Sequence, residues 1–158
     1  MQNQAPPELE YVGFWLRLWA SLIDTAIIAA LIYPALQLIY GKAYWSGASL
    51  VQGPADFLLS FVLPAVAVVC FWLARQATPG KLAIGARIVD ARSGGKPGTG
   101  QLLLRYLGYY LAAMPLFLGL IWVGLDARKQ GWHDKLAGTV VVRNKPRVSF
   151  EEQQGKQA

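Results

Sequence analysis

The amino-acid sequence predicts an all-α membrane protein with two transmembrane helices, a third hydrophobic segment broken by proline, and a small β-hairpin-like element. Three observations lead to this fold class. Hydrophobic residues make up 54% of the 158 residues and charged residues 15%, a balance too apolar for an ordinary soluble domain. Long apolar segments recur along the chain, and two polar segments are rich in the β-branched residues typical of strands.

The first two apolar segments predict spanning helices at about 14–40 and 57–75. Each has the roughly 20 apolar residues that cross a bilayer. The residues before the first segment include Glu8 and Glu10 but no lysine or arginine, and Asp24 interrupts the apolar run. We therefore expect a retained helix rather than a cleaved secretory signal, preceded by a cytoplasmic N-terminal segment at 1–13.

The third apolar segment, at about 102–125, contains Pro115 near its middle. Proline lacks an amide hydrogen and clashes with the preceding helical turn, so we expect a break. The segment then forms two short helices at about 101–113 and 116–125, which either enter the bilayer and return or lie at its interface. The alternative is a single kinked crossing, for which the segment is long enough.

The distribution of basic residues predicts the orientation. The connection between the first two helices contains Lys42 as its one basic residue. The other basic residues lie after the second helix (Arg75, Lys81, Arg87, Arg92 and Lys96) and after the third segment (Arg128, Lys129, Lys135, Arg143, Lys145 and Arg147). The positive-inside rule places both groups, and both termini, in the cytoplasm. Anionic lipid headgroups, rather than nucleic acid, are the expected partners of these charges.

Two short strands are predicted at about 82–91 and 137–143, and they could pair if both lie in the cytoplasm. The transmembrane domain then covers about 14–143. The remaining segment, 144–158, is polar without apolar periodicity, so we expect it to be disordered.

Several segments together resemble the RDD family of bacterial membrane proteins. They are Arg17 and Asp24 in the first helix, "TPGKLAIGARIVDA" at 78–91, "LLLRYLG" around Arg105, and "QGWHDKLAGTVVV" at 130–142. The resemblance implies that Arg17, Asp24 and Asp134 are the signature arginine and aspartates, with Asp90 as the alternative second aspartate. It also implies a small polytopic inner-membrane protein of unsettled role, for which transport has been suggested.

Arg17 and Asp24 are predicted to lie on one face of the first helix. Seven residues turn the helix by about 700°, so both side chains project in nearly the same direction, with Ser21 between them. Asp24 is ten residues inside the helix, near the middle of the bilayer, where a charged carboxylate costs about 2.5–3.5 kcal/mol. Arg105 is another candidate partner. This polar seam is either a proton or cation site or a packing clasp among helices.

The function predicted from these features is a transport component for protons, cations or small solutes, which uses the seam formed by Arg17, Ser21, Asp24 and Arg105. Two or three helices are too few to enclose a pathway, so we expect a homo-oligomer or a membrane protein partner. The alternative is a non-catalytic accessory or scaffold protein that docks a membrane complex through its cytoplasmic part.

We do not expect an enzyme, because no nucleophile accompanies the acid and base candidates His133 and Asp134. His133 is the one histidine of the chain and Cys70 the one cysteine, so neither a metal site nor a disulfide is expected. The glycine-containing segments "TPGK" and "GGKPGTG" lack the spacing of a phosphate-binding loop, and we expect no cofactor.

Overall fold

The computed structural model describes residues 8–47 and 49–145. Two of its helices are long and apolar enough to span a membrane, and a bent helix pair and a three-stranded antiparallel sheet complete the fold. The elements are β1 (Leu9–Tyr11), α1 (Phe14–Tyr40), α2 (Pro54–Arg75), α3 (Pro79–Ala83), β2 (Ala86–Asp90), α4 (Thr99–Ala113), α5 (Leu118–Ile121), α6 (Trp132–Ala137) and β3 (Thr139–Asn144). Short 3-10 turns cover Gly41–Ser46 and Trp122–Gly124.

The two spanning helices confirm the main prediction. Helix α1 has the predicted bounds, and α2 begins at Pro54, three residues earlier than expected, because proline is pre-organised for the first helical turn. A π-helical section, Leu58–Val62, precedes Pro64. Pro64 has no amide hydrogen to donate to the preceding helical turn, and its ring would clash with that turn. The wider π-helical turn makes room for the ring.

The third hydrophobic segment is broken where proline predicted it. The axes of α4 and of the helical stretch Leu118–Gly124 differ by 115°. Leu116 and Phe117 adopt left-handed backbone angles (φ 52° and 61°) in the turn between them. The helix after the break therefore begins at Leu118 rather than at the predicted position 116, because residues 116 and 117 form the turn.

The sheet has the strand order β1-β3-β2, and both pairings are antiparallel. Strands β2 and β3 correspond to the two predicted strands, and in their register Ile88 lies opposite Val141. Three details differ from expectation. Residues 82–83 belong to α3, Asn144 is the last residue of β3 rather than part of a disordered tail, and β1 occupies the segment before the first helix. The remainder of the predicted tail, 146–158, lies outside the described residues.

The sheet fixes the relative positions of the chain segments around the spans. Strand β1 precedes α1, β2 follows α2, and β3 follows the bent pair. Because β3 is hydrogen-bonded to both other strands, all three lie at the same end of the two candidate spanning helices. The bent pair therefore begins and ends on the side of the sheet, which favours a pair that returns over a single crossing.

We use the name platform for the three strands, α3, α6 and the first half of α4, all at one end of the spans. Its apolar core combines residues from segments far apart in the sequence: Val12, Trp72, Ala86, Ile88, Leu102 and Val141. Trp72 comes from the last turn of α2. The platform therefore packs directly on the end of a spanning helix.

Candidate functional site

A fully buried carboxylate, Asp134 in the first turn of α6, is the centre of the most polar part of the fold. Arg17 Nη1 donates a hydrogen bond to its Oδ2 atom at 2.5 Å, and Arg105 Nη1 donates to its Oδ1 atom. The Gly131 backbone amide also donates to Oδ2, at 3.0 Å. One carboxylate therefore joins α1, α4 and the start of α6.

The Arg17 side chain uses all three of its nitrogens within the platform. Besides the bond to Asp134, its Nε donates to the Val12 carbonyl at 2.9 Å and its Nη2 to the Lys129 carbonyl at 2.6 Å. The Arg17 side chain is 11% exposed to solvent. Arg17 thus ties the beginning of α1 to Val12, Lys129 and Asp134, and none of these bonds goes to Asp24.

Arg105 is completely buried. Its Nη1 also donates to the Thr139 hydroxyl at 2.7 Å, and its guanidinium carbon lies 5.4 Å from the ring centre of Trp72 and 5.7 Å from that of Tyr109. Such distances allow cation–π attraction. Arg105 therefore connects α4 with β3 and with the last turn of α2.

The charges of the two arginines determine the ionisation of Asp134. Burial by itself raises the pKa of this carboxyl group, but the charges of Arg105 and Arg17 outweigh it and hold the pKa below its usual range. Burial lowers the pKa of the neighbouring His133 to about 3, so its imidazole is neutral at physiological pH. The cluster of Arg17, Arg105 and Asp134 has a net charge of +1.

Asp24 lies apart from this cluster. Its Oδ2 atom accepts a hydrogen bond from the Thr78 hydroxyl at 2.5 Å, and its Oδ1 atom accepts one from the Gly80 amide at 2.7 Å. Both donors belong to the start of α3, where amide hydrogens otherwise lack partners. Asp24 therefore caps a short helix of the platform.

The packing of α3 on α1 brings Asp24 into contact with the platform. A Cβ atom on Gly80 would lie 1.9 Å from the Ala20 carbonyl oxygen, so α3 crosses α1 in close backbone contact just before Asp24. Asp24 therefore lies at the contact between α1 and the platform.

The four residues predicted to form the polar seam thus divide into separate contacts. Arg17 and Arg105 meet at Asp134, Asp24 binds α3, and the Ser21 hydroxyl donates to the Arg17 carbonyl at 2.9 Å within α1. Asp90, the alternative signature aspartate, accepts bonds from Arg92, Ser93 and Gln101 in the turn after β2. Of the two aspartates, Asp134 is the one that contacts the arginines.

A cavity of about 330 Å³ lies beside the ion cluster. Its polar lining consists of Arg17, Ser21, Lys81, Tyr109 and His133, and its apolar lining of Phe14, Leu18, Leu120 and Val123. The sequence analysis did not identify Lys81 or Tyr109 as site residues. In the sequence, Lys81 is only one of several basic residues after the second helix. That pattern predicts orientation in the membrane but not the direction of an individual side chain.

His133 packs tightly into the wall of this cavity. Its ring stacks on Tyr109 with a centroid separation of 4.0 Å, and a Cβ atom on Gly108 would lie 2.9 Å from the His133 Cα atom. Within residues 8–47 and 49–145, no three His, Cys, Asp or Glu side chains are placed to hold a metal ion. The groups that face the cavity are instead suited to a ligand with acceptor atoms.

Comparisons with known proteins assign most of the chain to one family of sequences. A profile described as the RDD family matches residues 11–138. An uncharacterized protein of Rickettsia prowazekii is 32% identical over 76 residues, which are 48% of this chain and 42% of that protein. The chain therefore matches less than half the length of this relative.

Two Bacillus subtilis proteins match more of their length. The uncharacterized membrane protein YteJ is 27% identical over 139 residues (85% of this chain, 82% of that protein). The uncharacterized protein YxaI is 26% identical over 148 residues (82% of this chain, 95% of that protein). No solved structure matches the chain.

Proposed function

Because the chain belongs to the RDD family of membrane proteins, with a matched region that covers residues 11–138, we propose that it is a non-catalytic accessory protein that docks a partner at the membrane. The observation that carries this proposal is the use of the charged residues. Arg17, Arg105 and Asp134 bind one another and the backbone of the platform, which makes them suited to hold a rigid docking element rather than to move an ion.

The sheet edge offers a surface for such a partner. Strand β1 is an edge strand of the described sheet, and its residues Leu9 and Tyr11, which lie on the same side of the strand, are 45% and 47% exposed. Edge strands with exposed apolar side chains are common sites of protein association. The partner in this proposal is a protein that contacts β1 while the spans anchor the complex.

The basic residues support a cytoplasmic platform. Arg87, Lys96, Lys135 and Arg143 lie on the side of the spans that carries the sheet, whereas Lys42 follows α1 at the other side. The positive-inside rule then favours a bacterial inner membrane with both termini in the cytoplasm. Anionic headgroups of the cytoplasmic leaflet are the proposed lipid partners of the platform.

Photo-crosslinking tests the docking proposal. A photoreactive phenylalanine analogue replaces Tyr11 on the platform or, as the matched control, Tyr33 in α1, which is 51% exposed and also aromatic. In native membranes we expect the probe at position 11 to crosslink one reproducible heterologous protein that position 33 does not. If position 11 gives only crosslinks between copies of this chain, the docking proposal is wrong.

Transport is a second candidate, and one observation favours it. Asp24 accepts hydrogen bonds from two neutral donors and forms no ion pair with a residue in 8–47 or 49–145. A carboxylate within a spanning helix and without a cationic partner is a group that could hold a proton or cation in transit. Two spans do not enclose a pathway, so this function requires a second copy or a membrane protein partner.

Reconstitution into liposomes tests transport. The purified chain is expected to show proton or cation flux that Asp24→Asn abolishes, while Glu8→Gln, a change at an exposed carboxylate, leaves the flux unchanged. Folded wild-type protein that gives no flux removes this candidate.

A further inference from the structure

We infer that the cavity lined by Lys81, Tyr109 and His133 binds a phosphate ester anion, either the headgroup of an anionic lipid or a soluble phosphate ester. This inference is independent of the docking and transport proposals. It rests on the charge of the cavity wall, on polar atoms without partners, and on the combination of polar and apolar lining.

The cavity wall has an excess of positive charge. Lys81 forms no ion pair with any residue in 8–47 or 49–145, and the nearest aromatic face to its ammonium is Trp72, 5.9 Å from the ring centre. Arg17 lines the cavity and shares the single negative charge of Asp134 with the buried Arg105, and Asp24, which accepts from the Gly80 amide next to Lys81, adds one more negative charge. Three positive and two negative charges therefore lie in or near the cavity wall, and an ammonium in such a place is stabilised by an anion.

Polar atoms of the wall also lack partners. His133 is 2% exposed, and neither ring nitrogen has a hydrogen-bond partner within the described chain; the closest approach is Nε2 to Asp134 Oδ2 at 3.4 Å. The Tyr109 hydroxyl oxygen accepts from Arg105 Nη2 at 3.5 Å, so its own hydrogen remains available to donate. A buried polar atom without a partner is costly, and an anion with several acceptor oxygens would accept from the Tyr109 hydroxyl and from the one N–H of the neutral imidazole.

The cavity lining combines apolar and polar side chains. Phe14 and Leu18 of α1, with Leu120 and Val123 of the bent pair, form its apolar wall, while Lys81 and His133 belong to the platform. The volume of about 330 Å³ is at the lower end of the range for small-molecule sites. A compact charged group with an apolar extension, as in a lipid headgroup, fits this combination.

A binding experiment with the full purified chain in neutral detergent distinguishes the two sources of phosphate. The probes are glycerol 3-phosphate, dihexanoyl phosphatidic acid, and dihexanoyl glycerol as the uncharged analogue of the lipid, all measured by calorimetric titration. Binding of glycerol 3-phosphate identifies a site for soluble esters. Binding of phosphatidic acid alone identifies a lipid site, and dihexanoyl glycerol is expected not to bind.

Matched variants test whether the site is this cavity. Lys81→Met keeps the length of the side chain and removes its charge, and we expect binding about tenfold weaker. Lys96→Met makes the same change of net charge at an exposed turn and is expected to bind as the wild type does. Tyr109→Phe is a second test, with a smaller loss expected, because it removes one hydroxyl and keeps the ring stacked on His133.

Two outcomes would overturn the inference. One is the absence of binding by both phosphate probes to protein whose unfolding transition is intact. The other is equal binding by Lys81→Met and Lys96→Met, since the phosphate would then lie elsewhere. If Lys81→Met fails to fold, the Tyr109→Phe variant takes its place. Equal binding by Tyr109→Phe and the wild type would then overturn the inference.

Discussion

Arg17 and Asp134 are 117 positions apart in the sequence, and their side chains form an ion pair with a 2.5 Å separation. Asp134 has no solvent exposure, and its other carboxylate oxygen is bound by the fully buried Arg105. The pair is thus one half of a three-residue cluster in which one negative charge separates two positive ones. Loss of that negative charge would leave two guanidinium groups facing each other.

The first prediction concerns this cluster. Asp134→Asn is expected to lower the free energy of unfolding by about 3–5 kcal/mol, because it leaves two buried charges uncompensated. Glu8→Gln removes the exposed pair with Lys145 and is expected to cost less than about 1 kcal/mol. Denaturant unfolding in detergent measures both. Equal losses would contradict the central role of Asp134.

The second prediction concerns the contact between α3 and α1. Gly80→Ala places a Cβ atom 1.9 Å from the Ala20 carbonyl oxygen, so the two helices must separate, at a cost of about 1–3 kcal/mol or more. Gly100→Ala is the matched control in α4, where a Cβ atom meets nothing within 4 Å and alanine improves helix propensity by up to about 1 kcal/mol. The unfolding midpoints should shift in opposite directions.

The third prediction concerns the hydrogen bonds to Asp24. Thr78→Val keeps the shape of the side chain and removes the hydroxyl that donates to Asp24, so we expect a loss of about 1–3 kcal/mol. Thr78→Ser retains the hydroxyl and should lose less. If thermal unfolding cannot distinguish the valine and serine variants, this hydrogen bond does not hold α3 in place.

The fourth prediction concerns pH. The pKa of His133 is lowered from 6.5 to about 3 by burial, so below pH 6.5 the unfolded chain binds a proton that the folded chain does not. Stability should therefore fall as the pH decreases from about 6.5 towards 3, by up to about 1.4 kcal/mol per pH unit. The pKa of Asp134 is also lowered from its ordinary value of 3.8. The stability that its charge contributes to the folded chain is therefore lost only when the pH falls below about 3.8.

His133→Phe isolates this effect. Phenylalanine retains a ring that can stack on Tyr109 but cannot bind a proton. The difference in unfolding midpoint between pH 7.5 and pH 5 should be smaller in this variant than in the wild type. An unchanged difference would assign the pH dependence to other groups.

The fifth prediction concerns topology. In a Cys70→Ala background, Lys96→Cys and Lys145→Cys should react with a membrane-impermeant thiol reagent from the same side of the membrane, and Ser49→Cys from the other. Lys96 follows β2, and Lys145 follows β3, which pairs with β2. Labelling of positions 96 and 145 from opposite sides would mean that the third segment crosses once.

The sequence was sufficient to predict α1, α2 and the proline break because their signals are local. A continuous apolar run and a proline each act on neighbouring residues. The contacts of Asp24 could not be predicted in this way, because its hydrogen-bond donors, Thr78 and Gly80, lie more than fifty positions away in the sequence.

The partner of Arg17 could not be predicted in the same way. Helical geometry places Arg17 and Asp24 on one face of α1, but both side chains bind groups in other segments, at Asp134 and Gly80. Strand β1 was missed because three residues, "LEY", are too few for an alternating pattern to be recognised. Its pairing with β3 depends on residues more than a hundred positions later.

The position of β3 between β1 and β2 has a consequence for biosynthesis. The ribosome produces the central strand after both of its neighbours, so the sheet cannot close until α1, α2 and the bent pair have emerged. During translation, β1 and β2 have unsatisfied backbone hydrogen-bonding groups on the sides that β3 later covers. A nascent chain halted before Thr139 would therefore hold two long apolar helices and two strands that still lack the strand between them.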